Sequence, residues 1–95
     1  MKEAKKKEII LVVKILKHYG AKQIFVFGSY AKDKEKIGSD LDIAVSGLPP
    51  EKFFKALAEL MLNLKKEVHL VDLDYPSPFA SYLKAKGELV NAEQA

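Results

Sequence analysis

Two short apolar runs, Ile24-Phe25-Val26-Phe27 and Leu41-Asp42-Ile43-Ala44-Val45, bracket a polar connection that opens on Gly28-Ser29 and closes on Gly38-Ser39-Asp40. No other stretch constrains the chain so tightly. The first run is apolar throughout and reads as a buried strand. A glycine directly after it permits a sharp turn into a short helix, Ser29 to about Asp33, and lets a ligand approach the backbone closely. The first amides of that helix have no intrahelical partner and face outward to an anion. In the second run the strand period sends Asp40 and Asp42 to one face and Leu41, Ile43 and Val45 to the other. Two carboxylates on one face repel each other unless a cation lies between them, and hard oxygen donors suit Mg²⁺. A phosphate cradle followed by a paired-carboxylate metal site is equipment for handling a nucleoside triphosphate.

The rest of the chain supplies elements to hold that centre. Lys2 to Tyr19 reads as a helix with Ile9, Val12, Val13, Leu16 and Tyr19 at helical spacing, lysines including Lys5 on the remainder, and Gly20 as its stop. The lysine-rich start reads as a solvated face in preference to an RNA or acidic-partner contact. His18 on this helix is structural or solvent-facing. After the turn Gly47-Leu48-Pro49-Pro50, a second long helix carries Phe53, Leu57, Leu60 and Leu64 as one stripe, widened by Phe54 and Met61. Glu67 to Leu73 is a third strand. Ser77-Pro78 resembles an N-cap with proline at the first helical position, opening a last helix that turns Phe79, Tyr82 and Leu83 inward and ends near Gly87. Glu88 to Ala95 is a tail of undefined structure. The alternation of helices and strands predicts an α/β fold, a small sheet of about three strands packed with helices, and periodicity leaves open whether the strands run parallel or mixed.

Ninety-five residues, 48% hydrophobic and 31% charged, make one soluble globular domain spanning 1–95. Without cysteine there is neither a disulfide framework nor a thiolate metal site. The run Ile9 to Val13 is too short to cross a bilayer, and the mixed charges of Met1-Lys2-Glu3 do not resemble a secretion signal, so a cytoplasmic location is expected. The net charge of +3 is compatible with an anionic ligand but does not single one out.

Gly28-Ser29-Tyr30-Ala31-Lys32 followed by Ser39-Asp40-Leu41-Asp42-Ile43-Ala44-Val45 resembles the signature of the minimal nucleotidyltransferases of the DNA polymerase beta superfamily. These are the small partners of HEPN-domain ribonuclease toxins in two-gene toxin–antitoxin modules. Val68-His69-Leu70-Val71-Asp72-Leu73-Asp74 and Gly87-Glu88-Leu89-Val90 extend the likeness, which covers Ile24 to Val90. The resemblance implies the nucleotidyltransferase fold, with Gly28 and Ser29 holding the terminal phosphates and Asp40 and Asp42 binding Mg²⁺ as catalytic metal ligands. Lys32 stands where the family usually has arginine, so it offers the phosphates a point charge without a bidentate fork. Asp33 occupies a position that is often glycine.

The third acid is the larger departure. Relatives complete the metal site with a carboxylate on the last strand, and the matching residue here is His69, which as a neutral imidazole can accept a proton or bind a metal but brings no negative charge. Asp72 and Asp74 fall on the opposite strand face from His69, whereas Glu67 shares its face. The implied activity is Mg²⁺-dependent transfer of AMP from ATP to a hydroxyl, in the family a tyrosine, of a HEPN toxin. The alternative is an antitoxin that neutralises its partner by binding alone. A direct RNA role is disfavoured, since the basic residues are dispersed lysines without an aromatic platform.

Overall fold

The computed structural model describes residues 3–32, 34, 39–86 and 88–93. Asp33 and Gly38 of the signature, and Gly87 at the expected end of the last helix, lie outside the described residues. Helix α1 (Glu3–His18) leads to strand β1 (Gln23–Phe27), a single turn of helix α2 (Gly28–Ala31) and strand β2 (Leu41–Ser46). A 3₁₀ turn (Pro50–Lys52) runs into α3 (Phe53–Leu64), followed by β3 (Val68–Asp72), α4 (Pro78–Lys86) and β4 (Val90–Asn91).

Among the described residues the sheet has four strands in the order β3-β2-β1-β4, one more than expected, because the C-terminal segment pairs with β1. β1 runs antiparallel to both β2 and β4, while β2 and β3 are parallel, so the sheet is mixed. The Ala92 amide extends the β4 edge by donating to the Ile24 carbonyl at 2.9 Å. A segment of two paired residues carries no readable period, which is why β4 has no signal in the sequence.

The strand period divides the core in two. Leu41, Ile43 and Val45 of β2, with Ile24 and Val26 of β1, pack beneath α1 and α3 against Ile9, Val12, Leu16, Ala56 and Leu60. Phe27 and Ala44 on the other face meet Leu73 and the α4 residues Ala80 and Leu83. α1 stops where expected: Gly20 has φ +104, and the Ala21 amide reaches back to the Leu16 carbonyl at 3.0 Å. Ser77 caps α4 as its sequence suggested, its Oγ accepting from the Ala80 amide at 3.1 Å.

Three expectations about packing are corrected. Phe79 and Tyr82 do not turn inward; each is 50% exposed, and the stripe that α4 buries is Ala80 and Leu83. Phe54 and Met61 do not widen the buried stripe of α3; Phe54 is 78% exposed, and Ala56 and Leu60 hold the centre. Lys5 is not on a solvated face: it is 4% exposed, with its ammonium 5.5 Å from the centroid of the Tyr30 ring.

Candidate nucleotide site

The site forms where β1 ends and β2 and β3 begin. The antiparallel register pairs Phe27 with Asp42, so Gly28, the next residue, falls beside the Asp42 side chain. Gly28 has φ +70, and a methyl group on its Cα would overlap Asp42 Oδ2 and come within 3.2 Å of Asp42 Cγ. A side chain here is strained by the backbone conformation and would displace the carboxylate. The loop and the second acid of the signature are therefore in contact. Ser29 follows at the start of α2, where Phe27 occupies the N-cap position and no side chain caps the turn. With only four residues, α2 has little dipole of its own, and any hold on an anion comes from local amides and the Ser29 hydroxyl.

The parallel register sets His69 directly beside Asp42. His69 Nδ1 lies 3.0 Å from Asp42 Oδ1. An ionised carboxylate can only accept, so this contact requires the ring to carry its proton on Nδ1. The opposite nitrogen, Nε2, then faces Asp40 Oδ2 at 3.6 Å and Glu67 Oε1 at 3.9 Å. Ligand atoms of Asp40, Glu67 and His69 converge within 4.8 Å of one another. Asp42 is not one of that group: its Oδ1 sits at the other edge of the ring and its Oδ2 lies toward the Gly28 loop.

These residues fit a hard divalent cation. Three carboxylates around one imidazole carry more negative charge than the ring can neutralise, and their oxygens are the donors Mg²⁺ prefers. Glu67 is the acid the strand period singled out as sharing the face of His69. Lys32 is the C-cap of α2, exposed, with its ammonium 3.9 Å from Glu88 Oε1. Asp72 and Asp74 stay away from the centre: Asp74 accepts from the Gly47 amide at 2.6 Å and from Ser46 Oγ at 3.1 Å, bracing the far end of β2.

Residues 11–94 match the family model described as "Polymerase beta, Nucleotidyltransferase". The chain belongs to the polymerase beta nucleotidyltransferase family. Its core fold recurs in solved structures. One, a toxin–antitoxin crystal structure with AMP-PNP, is 26% identical at TM-score 0.71, the match covering 92% of this chain and 71% of that one. A second is a tri-AMPylated Shewanella oneidensis HEPN toxin in complex with MNT antitoxin, 22% identical at TM-score 0.69, covering 93% and 71%. A third, a MntA–HepT toxin–antitoxin structure, is 22% identical at TM-score 0.67, covering 90% and 69%. No curated protein sequence matches. The nucleotidyltransferase domain described here is thus a minimal one, and its mixed sheet with helices on both faces is the fold of that family. No helix among the described residues is long and apolar enough to cross a membrane.

A second group of residues next to the site has no counterpart in the sequence reading. Glu8, Tyr30 and Lys66 form a linked polar cluster behind the Ser29 turn. Tyr30 lies within the signature itself, but its partners are far away in the chain, and no spacing announces them.

Proposed function

We propose that the domain transfers AMP from ATP, with Mg²⁺, to a tyrosine hydroxyl of a HEPN-type toxin partner and acts as its antitoxin. The observation carrying this reading is the meeting of Gly28, Asp42 and His69 at one corner of the sheet. The solved toxin–antitoxin relatives, one with AMP-PNP and one with an AMPylated toxin, support the choice of nucleotide and partner.

In this reading Ser29, through its hydroxyl and neighbouring amides, holds the terminal phosphates, and Lys32 adds positive charge nearby. Asp40 and Asp42 hold the metal ion, with Glu67 as the additional acid. Bound there, Mg²⁺ supplies neutralisation of the charge on the phosphate oxygens. In the neutral ring, the contact with Asp42 directs the proton to Nδ1 and leaves Nε2 with a lone pair. That nitrogen is the proton acceptor for the attacking hydroxyl, in the manner of a carboxylate-oriented histidine base. The acceptor oxygen bonds to the α-phosphorus, the bond from that phosphorus to the bridging oxygen breaks, and pyrophosphate leaves. The hydroxyl proton goes to His69 Nε2. Positioning and charge stabilisation are the main contributions expected from the protein.

A second reading, neutralisation by binding without chemistry, is favoured by one observation: the place of the family's third acid is taken by a histidine already engaged with Asp42 at 3.0 Å. The double variant Asp40→Asn/Asp42→Asn separates the two. Under the transferase reading it still binds the toxin but no longer protects cells from it. Retained protection would establish the binding reading instead.

A further inference from the structure

The cluster behind the cradle takes no part in the chemistry above. Tyr30 is 4% exposed, its ring set in the core beneath α1. Its hydroxyl donates to Glu8 Oε1 at 3.2 Å and accepts from Lys66 Nζ. Lys66 Nζ also pairs with Glu8 Oε2 at 2.7 Å and sits 4.9 Å from the centroid of the Tyr30 ring. One ammonium therefore joins α1, α2 and the segment leading into β3.

Each of those links bears on the site. A single helical turn does not hold itself, because nucleation costs more than its hydrogen bonds return. α2 must be fixed by tertiary contact, and Tyr30 is the residue that the turn buries. Lys66, for its part, immediately precedes Glu67, whose carbonyl accepts from the Leu41 amide at 3.1 Å as β3 comes alongside β2. Ser29 and the pair Glu67/His69 thus rest on the two segments that Lys66 ties together.

The geometry points to Lys66 as a positioning residue for the nucleotide site. Through Tyr30 it holds the turn carrying Ser29, and through its own backbone it holds the start of β3, so that the cradle and His69 keep one relative placement. Glu8 keeps the ammonium in place. The catalytic consequence rests on the transferase reading; the mechanical coupling does not.

The test uses the full chain and compares Lys66→Met, Tyr30→Phe and Lys66→Arg with wild type and with a control, Lys17→Met, which removes the pair with Glu93 and the hydrogen bond to the Lys22 carbonyl. The first readout is amide hydrogen exchange without nucleotide or metal. Loss of one charge-assisted hydrogen bond predicts about tenfold faster exchange, and Lys66→Met should show it at residues 29–32 and 68–70 together. Tyr30→Phe should speed the α2 amides, Lys66→Arg should restore both segments, and Lys17→Met should change neither. The second readout is ATP-dependent labelling of the partner, where Lys66→Met should raise the KM for ATP and lower kcat. A merely structural role would reduce the folded fraction and leave KM unchanged. Faster exchange confined to residues 66–70, or wild-type kinetics in both Lys66→Met and Tyr30→Phe, overturns the inference. Should wild type transfer no AMP, the transferase reading fails, and the exchange comparison still decides the coupling. If Lys66→Met does not fold, Tyr30→Phe, which keeps the buried ring, decides whether the hydroxyl link holds α2.

Discussion

At the residue scale, Gly28, Asp42 and His69 decide what the site can do. Gly28→Ala would push a methyl group into the Asp42 carboxylate at a backbone angle alanine resists, with φ +70. We expect a loss of about 1–2 kcal/mol in chemical denaturation from the backbone alone, and a far larger loss of transfer, because Asp42 must move. His69→Asp restores a carboxylate at the family's third position. Placed among Asp40, Asp42 and Glu67, it should lower the melting temperature in chelator and increase the stabilisation gained on adding Mg²⁺, read by thermal unfolding in both conditions. Equal Mg²⁺ responses in variant and wild type would count against a metal at this corner. These residues are legible in the sequence because they lie close together or at strand spacing: Gly28 after an apolar run, Asp40 and Asp42 two apart, Glu67 and His69 likewise. Tyr30, Glu8 and Lys66 are not, because a contact between α1, α2 and the approach to β3 leaves no period.

At the element scale, helix spacing locates α1, α3 and α4 and finds Ile9, Val12, Leu16, Leu60 and Leu83 among the side chains they bury, but misplaces Phe54, Met61, Phe79 and Tyr82. The aromatics Phe54, Phe79 and Tyr82 stay exposed, whereas the residues that α3 and α4 bury are Ala56 and Leu60, and Ala80 and Leu83. Leu60 is fully buried between α3 and the sheet, and Leu60→Ala should cost about 2–5 kcal/mol in urea unfolding. Two contacts give the packing of α1 an alkaline limit. The Tyr19 hydroxyl donates to Glu59 Oε1 at 2.8 Å, and this hydrogen bond, with burial and the Glu59 charge, holds the phenol above its ordinary value of 10.0. Burial opposes the charge on Lys66, but its bonds to Glu8 and Tyr30 and their charges outweigh it, keeping that ammonium above 10.5. Both groups bind their protons more tightly folded than unfolded, so their stabilisation is intact below pH 10.0 and is lost as pH rises through the raised values. Denaturation midpoints compared at neutral pH and at about pH 11 should fall for wild type and fall less for Tyr19→Phe. An identical fall in both would remove Tyr19 from the explanation.

At the scale of the whole molecule, strand order makes the site. Antiparallel pairing of β1 with β2 lays the Gly28 loop against Asp42, and parallel pairing of β2 with β3 lays His69 on its other side. The individual strands can be read from apolar runs, but their directions cannot, since periodicity is the same in either sense. Neither can β4, which is recognised only by its pairing with β1. What the sheet gathers is a loop suited to polyphosphate, a cluster of acids suited to Mg²⁺, and an oriented imidazole. The most direct test is incubation of the chain with α-phosphate-labelled ATP, Mg²⁺ and the HEPN protein proposed as its partner, followed by gel autoradiography and mapping of the modified residue. Label is expected on a partner tyrosine, dependent on Mg²⁺ and abolished by Asp42→Asn without loss of the complex. An unlabelled partner in an intact complex, or labelling that survives Asp42→Asn, would contradict the proposed transfer.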